Sequence, residues 1–140
     1  ARIGWMGQRP HVFAGPVAAN VALGRALDAG SVESAMRFAQ LEHVAQAHPG
    51  AALGEGGLGL SGGEAVRLAL ARIAVHPQAN LLLVDEPTAH LDTETARRVA
   101  DALLALARGR TMIVATHDPA LAARLDRVVQ LGADAAEKAA

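Results

Sequence analysis

From Asn80 onward, strand-length apolar runs alternate with helical segments, and this alternation constrains the fold more than any other feature. The segment Asn80–Val84 lies between Pro77 and Pro87, and its leucines and valine are typical of a strand buried on both faces of a parallel sheet. Thr93–Arg108 follows with helical periodicity, because its apolar residues recur on one face. Thr111–Thr116 is the next predicted strand. Such an order predicts an α/β fold with a mainly parallel sheet.

The remaining segments extend this prediction in both directions. Further strands are predicted at Arg2–Met6 and Arg127–Leu131. Helices are also predicted at Pro16–Leu23, Leu41–Ala47 and Gly62–Val75, and from Asp118-Pro119 to about Leu125. A further helix is capped by Ser31 and has Val32, Ala35, Met36 and Ala39 on one face. Gly50–Leu60 is glycine-rich and predicted to be a loop. We therefore expect a helical subdomain at 16–76, an α/β core at 77–131 and a tail at 132–140.

Composition narrows the class of protein. Hydrophobic residues make up 51% of the 140 residues while aromatic residues make up only 2%, so aliphatic side chains must fill the core. The net charge of −1 offers no basic surface for nucleic acid or an anionic membrane. There is no cysteine, and no apolar run reaches the roughly 20 residues of a membrane-spanning helix. If the chain serves a membrane, the membrane part is expected elsewhere.

The segment Ser61-Gly62-Gly63-Glu64 opens a predicted helix. Two glycines at a helix start let a phosphate approach the backbone, where free N–H groups and the helix dipole favour an anion. The Ser61 hydroxyl can add a hydrogen bond. The same spacing is also a capping box, in which Ser61 and Glu64 only satisfy the first turn of the helix. Both interpretations remain open from these residues alone.

Two carboxylates follow the apolar run Leu81–Val84. Asp85, at the end of a buried strand, can hold Mg²⁺ directly or through water. Glu86 can orient and deprotonate an attacking water. The alternative is an ordinary acidic turn before Pro87.

Three single residues are weak indications by themselves. His117 follows a strand, where an imidazole can contact a γ-phosphate. Gln8 lies in the loop after the first strand, where its amide can reach metal or water. Ala89–Asp92 is otherwise a turn into the next helix, with Asp92 or Thr93 as its cap.

Taken in order, these features resemble the ABC ATPase family from about Arg2 to Leu131. Gln8 resembles the Q-loop and Leu60–Glu64 the signature motif, with glutamate where glutamine is commoner. Leu81–Glu86 resembles Walker B with the catalytic glutamate, Ala89–Asp92 the D-loop, and His117 the H-loop. The resemblance implies part of a RecA-like P-loop NTPase core plus the ABC α-helical subdomain.

The resemblance also implies a role for each matching residue, with ATP and Mg²⁺ as cofactors. Glu86 would be the general base, and His117 would sense the γ-phosphate. Asp85 would support Mg²⁺, as would Gln8, which would also couple the metal site to a transmembrane partner. The remaining nucleotide-binding residues would contact the nucleotide held by a second ABC ATPase domain or lie at that interface; they are Ser61, Gly62, Gly63, Glu64 and Asp92.

One element of the family is absent from the sequence. The phosphate-binding loop Gly-x-x-x-x-Gly-Lys-Ser/Thr does not occur, and the single lysine, Lys138, has no glycine-rich loop around it. In the family this loop lies upstream of the residue matched by Gln8, so we expect the chain to be truncated. We also expect that the chain alone neither binds ATP tightly nor hydrolyses it.

Other residues resemble exporters. Gln8–Val17 has the glutamine, proline, phenylalanine and glycine of the exporter Q-loop, and Gly54–Gly57 resembles the loop that touches the coupling helices, although Ala52 replaces a common acidic residue. Thr88–Asp92, with His90, resembles the CydD-type subunit of the bacterial cysteine/glutathione exporter. The resemblance implies a transmembrane domain fused upstream, a second ATPase domain as homo- or heterodimer partner, and a place on the cytoplasmic face of the inner membrane.

Four alternatives are considered. The first, a generic α/β domain with coincidental motifs, is opposed by the occurrence of five motifs in the family's order. A soluble ABC ATPase of DNA repair would place a long coiled coil between Gln8 and Ser61, but this interval has no sustained heptads. A ribosome-associated relative would bring basic segments that the chain lacks, so no nucleic acid partner is expected. A non-hydrolysing half that only donates its signature is opposed by the presence of Glu86 and His117.

Overall fold

A computed structural model describes residues 3–47, 53, 60–76 and 78–132. Within these ranges the elements are β1 (Ile3–Met6), α1 (Val17–Ala22), α2 (Ala29–Phe38), α3 (Glu42–Ala47), α4 (Gly62–Ala74), β2 (Leu81–Asp85), α5 (Thr93–Leu106), β3 (Thr111–Ala115) and α6 (Pro119–Ala122).

The three strands form one parallel sheet in the order β1-β2-β3. Val84 of β2 lies opposite Met6 of β1 and Val114 of β3, so the strands end together. Each pair is joined through helices, as parallel pairing requires. This arrangement confirms the predicted α/β fold class and brings the carboxyl ends of all three strands to one edge.

The two faces of the sheet differ. Leu82 and Val84 are buried on the face covered by helices, and Gly4 of β1 lies so close to α4 that an added Cβ would be 3.4 Å from Ile73 Cγ2. On the other face Trp5 is 62% exposed and Ile113 is 59% exposed. The prediction that Asn80–Val84 is buried on both faces is therefore wrong for the part of the chain that the structure describes, since its helices cover one face only.

Helix α4 packs between the helices that precede it and the sheet with α5. It packs against α1 and α2 on one side and against α5 and β1 on the other. Four consecutive residues, Leu68 to Ala71, are buried, so this helix is enclosed on more than one face. With Val66 and Ile73 they belong to one continuous hydrophobic core. Among the residues described, no helix has both the length and the apolarity needed to cross a bilayer.

Several predicted boundaries need correction. Helix α2 is capped by Asp28, which accepts from Ser31 N at 2.8 Å, so Ser31 lies inside the helix and is not its cap. The last helix ends at Ala122 and not near Leu125. Arg127–Leu131 forms no strand and pairs with none of the described strands. The glycine-rich loop is outside the described residues except for Leu53 and Leu60, as is the tail after Gly132.

Candidate functional site

The carboxyl edge of the sheet gathers four of the predicted site residues. Asp85 is the last residue of β2, and Glu86 follows it directly. His117 comes two residues after the end of β3, and Gln8 two residues after the end of β1. In open parallel sheets, ligands bind outside the carboxyl ends of the strands. The topology therefore places all four at the edge where a nucleotide site is expected.

Glu86 has an unusual backbone conformation. Its φ angle is 45°, in the left-handed region that non-glycine residues seldom adopt. The chain turns sharply here: Glu86 N donates to Ala115 O at 2.8 Å, and Ala89 N donates to Glu86 O at 3.2 Å. Strain of this kind costs on the order of 1–3 kcal/mol and persists only where surrounding contacts impose it. The turn thus aims the Glu86 carboxylate at the neighbouring strand end.

Glu86 and His117 are in direct contact. His117 Nδ1 lies 2.8 Å from Glu86 Oε1, and His117 N donates to Glu86 Oε2 at 3.5 Å. The hydrogen bond from the imidazole to the carboxylate, and then its charge, raise the pKa of His117 above its ordinary value. A bond at Nδ1 fixes which ring nitrogen is engaged and leaves Nε2 to reach a phosphate. The imidazole is 78% exposed, so a ligand has access to it.

The oxygen donors at this edge fit Mg²⁺ only if phosphates and water supply its remaining ligands. Asp85 and Gln8 provide hard oxygen ligands, which Mg²⁺ prefers. No cluster of three His, Asp or Glu side chains suitable for a metal occurs in the described ranges. Mg²⁺ is commonly held by one or two protein oxygens together with phosphates and water. The residues therefore fit a metal that arrives with a nucleotide.

The segment Ser61–Glu64 begins α4 as a complete capping box. Glu64 N donates to Ser61 Oγ at 3.3 Å, and Ser61 N donates to Glu64 Oε2 at 2.8 Å. The Ser61 hydroxyl also donates to Glu64 Oε2 at 2.8 Å. The structural interpretation of this spacing is therefore confirmed. It does not exclude a phosphate ligand, since the capping box leaves the N–H groups of Gly62 and Gly63 outside these bonds.

The two glycines of this segment have different surroundings. A Cβ added at Gly63 would lie 3.3 Å from Thr95 Cγ2 of α5, so Gly63 permits close helix packing. A Cβ at Gly62 would meet no atom within 4 Å among the described residues, and its φ angle is not positive. Nothing described in this chain therefore requires glycine at position 62. A ligand or partner that approaches the backbone would require it.

His43 of α3 contributes a contact to Glu64 that the sequence did not predict. His43 Nε2 lies 3.4 Å from Glu64 Oε1. Burial raises the pKa of Glu64, but the hydrogen bonds from Ser61 and the contact with His43 outweigh it, so the pKa lies below its ordinary value. The glutamate that replaces the commoner glutamine is thus held as a carboxylate.

Asp92 is the N-cap of α5. Its Oδ1 accepts from Glu94 N at 3.1 Å and from Thr95 N at 3.0 Å. This confirms one of the two caps considered from the sequence. No hydrogen bond or ion pair between described residues joins Asp92 or the Ser61–Glu64 segment to Gln8, Asp85, Glu86 or His117. The predicted residues therefore fall into a carboxyl-edge group and two helix starts.

The loop after Gln8 is fixed by a network that sequence reasoning missed. Asn20, which is 2% exposed, accepts from Phe13 N and donates to Phe13 O, both at 2.9 Å. Arg72 of α4 donates to Asn20 O at 2.8 Å and to His11 O at 2.6 Å. Burial and the nearby Arg25 lower the pKa of Arg72. No local pattern signals this network, because its residues are far apart in sequence.

Comparison with known proteins identifies the class to which this arrangement belongs. The family model described as ABC transporter matches residues 1–89, which is more than half of the chain. A model described as AAA domain, putative AbiEii toxin, Type IV TA system, matches residues 64–123, less than half. The chain belongs to the ABC transporter family.

Two relatives of the chain are an ATP-dependent flippase and an import ATP-binding/permease protein. It is 39% identical over 136 residues to the ATP-dependent lipid A-core flippase of Paraburkholderia xenovorans, covering 95% of this chain and 23% of that protein. It is 38% identical over 128 residues to the mycobactin import ATP-binding/permease protein IrtB of Mycolicibacterium smegmatis, covering 89% of this chain and 22% of that protein.

A solved structure agrees with the sequence relatives. The structure of a bacterial Atm1-family ABC exporter with ATP bound matches with a TM-score of 0.73 and 32% identity, over 86% of this chain and 22% of that one. The chain thus spans less than a quarter of the length of these relatives. The exporter-type resemblance predicted from the sequence is confirmed, whereas these relatives do not support the narrower CydD-type resemblance.

Proposed function

We propose that the chain is the part of an ABC exporter's ATPase domain that carries out ATP hydrolysis and donates the signature motif. The observation that carries this proposal is the contact between Glu86 and His117 at the carboxyl edge of the sheet, with Asp85 beside them. An intact pair of this kind supports a hydrolysing domain over one that only donates its signature to a partner.

Glu86 acts as the general base in this proposal. Its carboxylate accepts a proton from the water that attacks the γ-phosphorus, while the bond from phosphorus to the bridging oxygen of ADP breaks. In the structure the same carboxylate contacts His117 Nδ1 at 2.8 Å. His117 Nε2 then contacts a γ-phosphate oxygen. The neighbouring Glu86 favours the charged imidazolium, which donates more strongly to phosphate.

Asp85 and Gln8 hold Mg²⁺ in this proposal, partly through water. The metal supplies charge neutralisation for the phosphates when it is bound with ATP. Gln8 begins the loop that Asn20 and Arg72 fix to the helices, so its position is coupled to the helical part of the chain. A phosphate-binding loop of the family type must accompany this chain for tight nucleotide binding. The chain by itself therefore neither binds ATP tightly nor hydrolyses it.

The Ser61–Glu64 segment contacts the nucleotide held by a second ATPase domain. Two observations support this: the segment shares no hydrogen bond with the carboxyl-edge residues that the structure describes, and a Cβ added at Gly62 would meet no described atom within 4 Å. Asp92, exposed at the start of α5, lies at the same interface. The N-terminal N–H groups of α4 then complete the partner's phosphate site.

Transport across a membrane is the process that hydrolysis drives in this proposal. The relatives are described as a flippase, an import ATP-binding/permease protein and an exporter. By analogy, the ATPase domain would act with a transmembrane domain, fused upstream, at the cytoplasmic face of the inner membrane. Cysteine or glutathione as the substrate remains a prediction from Thr88–Asp92 alone.

The test compares Glu86→Gln with the unchanged protein in the complete ATPase, which means this chain within a polypeptide that also supplies the phosphate-binding loop. Loss of the general base is expected to lower the rate of phosphate release from Mg-ATP by about 10²–10⁴-fold. Binding of Mg-ATP, measured by calorimetry, should persist because glutamine keeps the shape of the side chain.

Glu33→Gln is the matched control, because Glu33 is an exposed glutamate on α2. It should hydrolyse ATP at the unchanged rate. If Glu86→Gln kept more than about one tenth of the activity, Glu86 would not be the base. Tight binding of Mg-ATP by the 140-residue chain alone would contradict the need for a further phosphate-binding loop.

A further inference from the structure

Thr88 is one of two buried polar side chains among the residues described, the other being Asn20. It lies in the turn after Glu86, and its side chain crosses to the loop that follows β3. Thr88 Oγ1 donates to Asp118 Oδ2 at 2.9 Å. A buried hydroxyl bonded to a carboxylate is a strong and well-defined contact, because leaving either group without its partner is costly.

Asp118 divides its carboxylate between two contacts. Oδ2 accepts from Thr88, while Oδ1 accepts from Ala120 N at 2.9 Å and caps α6. The bond from Thr88 is the main cause that lowers the pKa of Asp118. On the other side, Asp118 N donates to Thr116 Oγ1 at 3.0 Å. The residue directly after His117 is therefore held at three points.

The contact between Glu86 and His117 cannot fix its own geometry. The His117 side chain is 78% exposed, and exposed pairs are weak because water competes for both groups. Glu86 also holds a strained φ angle of 45°, which surrounding contacts must impose. Two such contacts reach the neighbouring strand end: Glu86 N to Ala115 O, and Thr88 to Asp118 two residues further on.

We propose that Thr88 and Asp118 are positioning residues that hold the loops of Glu86 and His117 at the separation ATP hydrolysis requires. The inference rests on the proposed function, and it assigns neither residue a contact with the nucleotide. Thr88 acts through the turn that carries Glu86, and Asp118 through the backbone that carries His117. Displacement of reacting groups by about 1 Å can cost 10²-fold in rate.

The decisive variants differ only in the hydrogen bond between Thr88 and Asp118. Thr88→Val keeps the branched shape but removes the hydroxyl, and Thr88→Ser keeps the hydroxyl. In the complete ATPase, Thr88→Val is expected to lower kcat by about 10- to 100-fold and to change the KM for ATP by less than about twofold. Thr88→Ser should restore most of kcat. Thr111→Val, at the exposed start of β3, is the matched control and should behave like the unchanged protein.

Asp118→Asn separates geometry from charge. An asparagine here can accept from Ala120 N through its oxygen and donate to Thr88 Oγ1 through its nitrogen, so both bonds can persist without the negative charge. Asp118→Asn is expected to keep at least about one third of kcat, because a hydrogen bond between positions 88 and 118 remains. Where Thr88→Val does not fold, judged by circular dichroism, Thr88→Ala removes the same hydroxyl and takes its place.

A second measurement does not depend on ATP. Nitrogen NMR of the ¹⁵N-labelled His117 ring in the 140-residue chain reports whether Nδ1 is hydrogen-bonded to Glu86. The bond should be present in the unchanged chain and in Thr88→Ser, and lost in Thr88→Val. Failure of the complete ATPase to hydrolyse ATP would contradict the proposed function. The NMR result would still show whether the Thr88–Asp118 hydrogen bond positions Glu86 and His117. Retention of the ring bond or of kcat in Thr88→Val, or equal loss in Thr88→Ser, overturns the inference.

Discussion

The carboxyl edge of the sheet and the start of α4 are built on different length scales. At the edge, the contact between Glu86 and His117 joins residues 31 positions apart, and Glu86 holds a strained φ angle. At the start of α4, Ser61 and Glu64 are three positions apart, and Ser61 has an ordinary extended conformation with φ −68° and ψ 162°. The first depends on strand pairing, whereas the second needs only one helix turn.

This difference agrees with the two roles proposed. A group that moves a proton must be held against its partners at a fixed distance, so the fold supplies strain and cross-strand contacts. A helix start that receives a phosphate already presents its N–H groups once the helix forms. The structure of the signature segment, Ser61–Glu64, should therefore be insensitive to changes in the sheet. The geometry of Glu86 and His117 at the carboxyl edge should be sensitive to them. The following variants test this contrast.

Among the variants that test this contrast, Gly62→Ala is expected to have the largest effect. In the complete ATPase, the added Cβ would block the approach of a phosphate and lower hydrolysis by about 10- to 100-fold, which corresponds to one lost charge-assisted hydrogen bond. The free energy of unfolding of the 140-residue chain should change by less than about 1 kcal/mol, because the added Cβ meets no described atom within 4 Å. Phosphate release and urea unfolding measure the two effects.

Gly132→Ala serves as the comparison, since a Cβ there also meets no described atom within 4 Å. It should change neither quantity. Equal hydrolysis by Gly62→Ala and the unchanged protein would show that this helix start receives no ligand.

Ser61→Ala tests whether the capping box is self-contained. Loss of the cap should lower the free energy of unfolding by about 1 kcal/mol, as for other serine caps. The ring nitrogen signal of His117 should not change, because the cap shares no hydrogen bond with the described edge residues. Ser34→Ala, within α2 and exposed, should be neutral or slightly stabilising. A shifted His117 signal in Ser61→Ala would contradict the separation of the two regions.

The smallest expected effect is the pH dependence of the Glu86–His117 pair. Because the folded pKa of His117 is raised, its contribution is complete below the ordinary histidine value of about 6.5 and is lost as pH rises through the folded pKa. The difference in Tm between the unchanged chain and Glu86→Gln should therefore be larger near pH 5.5 than near pH 8.5. The same comparison with Glu33→Gln should show no such trend. A constant difference across this range would rule out a charged pair.

Features with local causes were predictable from sequence. The starts of α4 and α6 were placed at Ser61 and Asp118, because a cap acts within three residues of its own position. Strands β2 and β3 were located because apolar runs of strand length are readable one segment at a time. Ser31 was the exception, since Asp28 lies three positions before it and competes for the same role.

The sequence by itself determined which chemical groups the chain carries and on which kind of element each stands. Only the tertiary structure decided that Glu86 contacts His117, that Thr88 bonds to Asp118, and that Arg72 fixes the loop after Gln8. It also decided that one sheet face lies exposed in the described chain and that residues 127–131 pair with no described strand. The physical reason is distance: periodicity and capping act within a few residues, whereas these contacts depend on which strands and helices pack together.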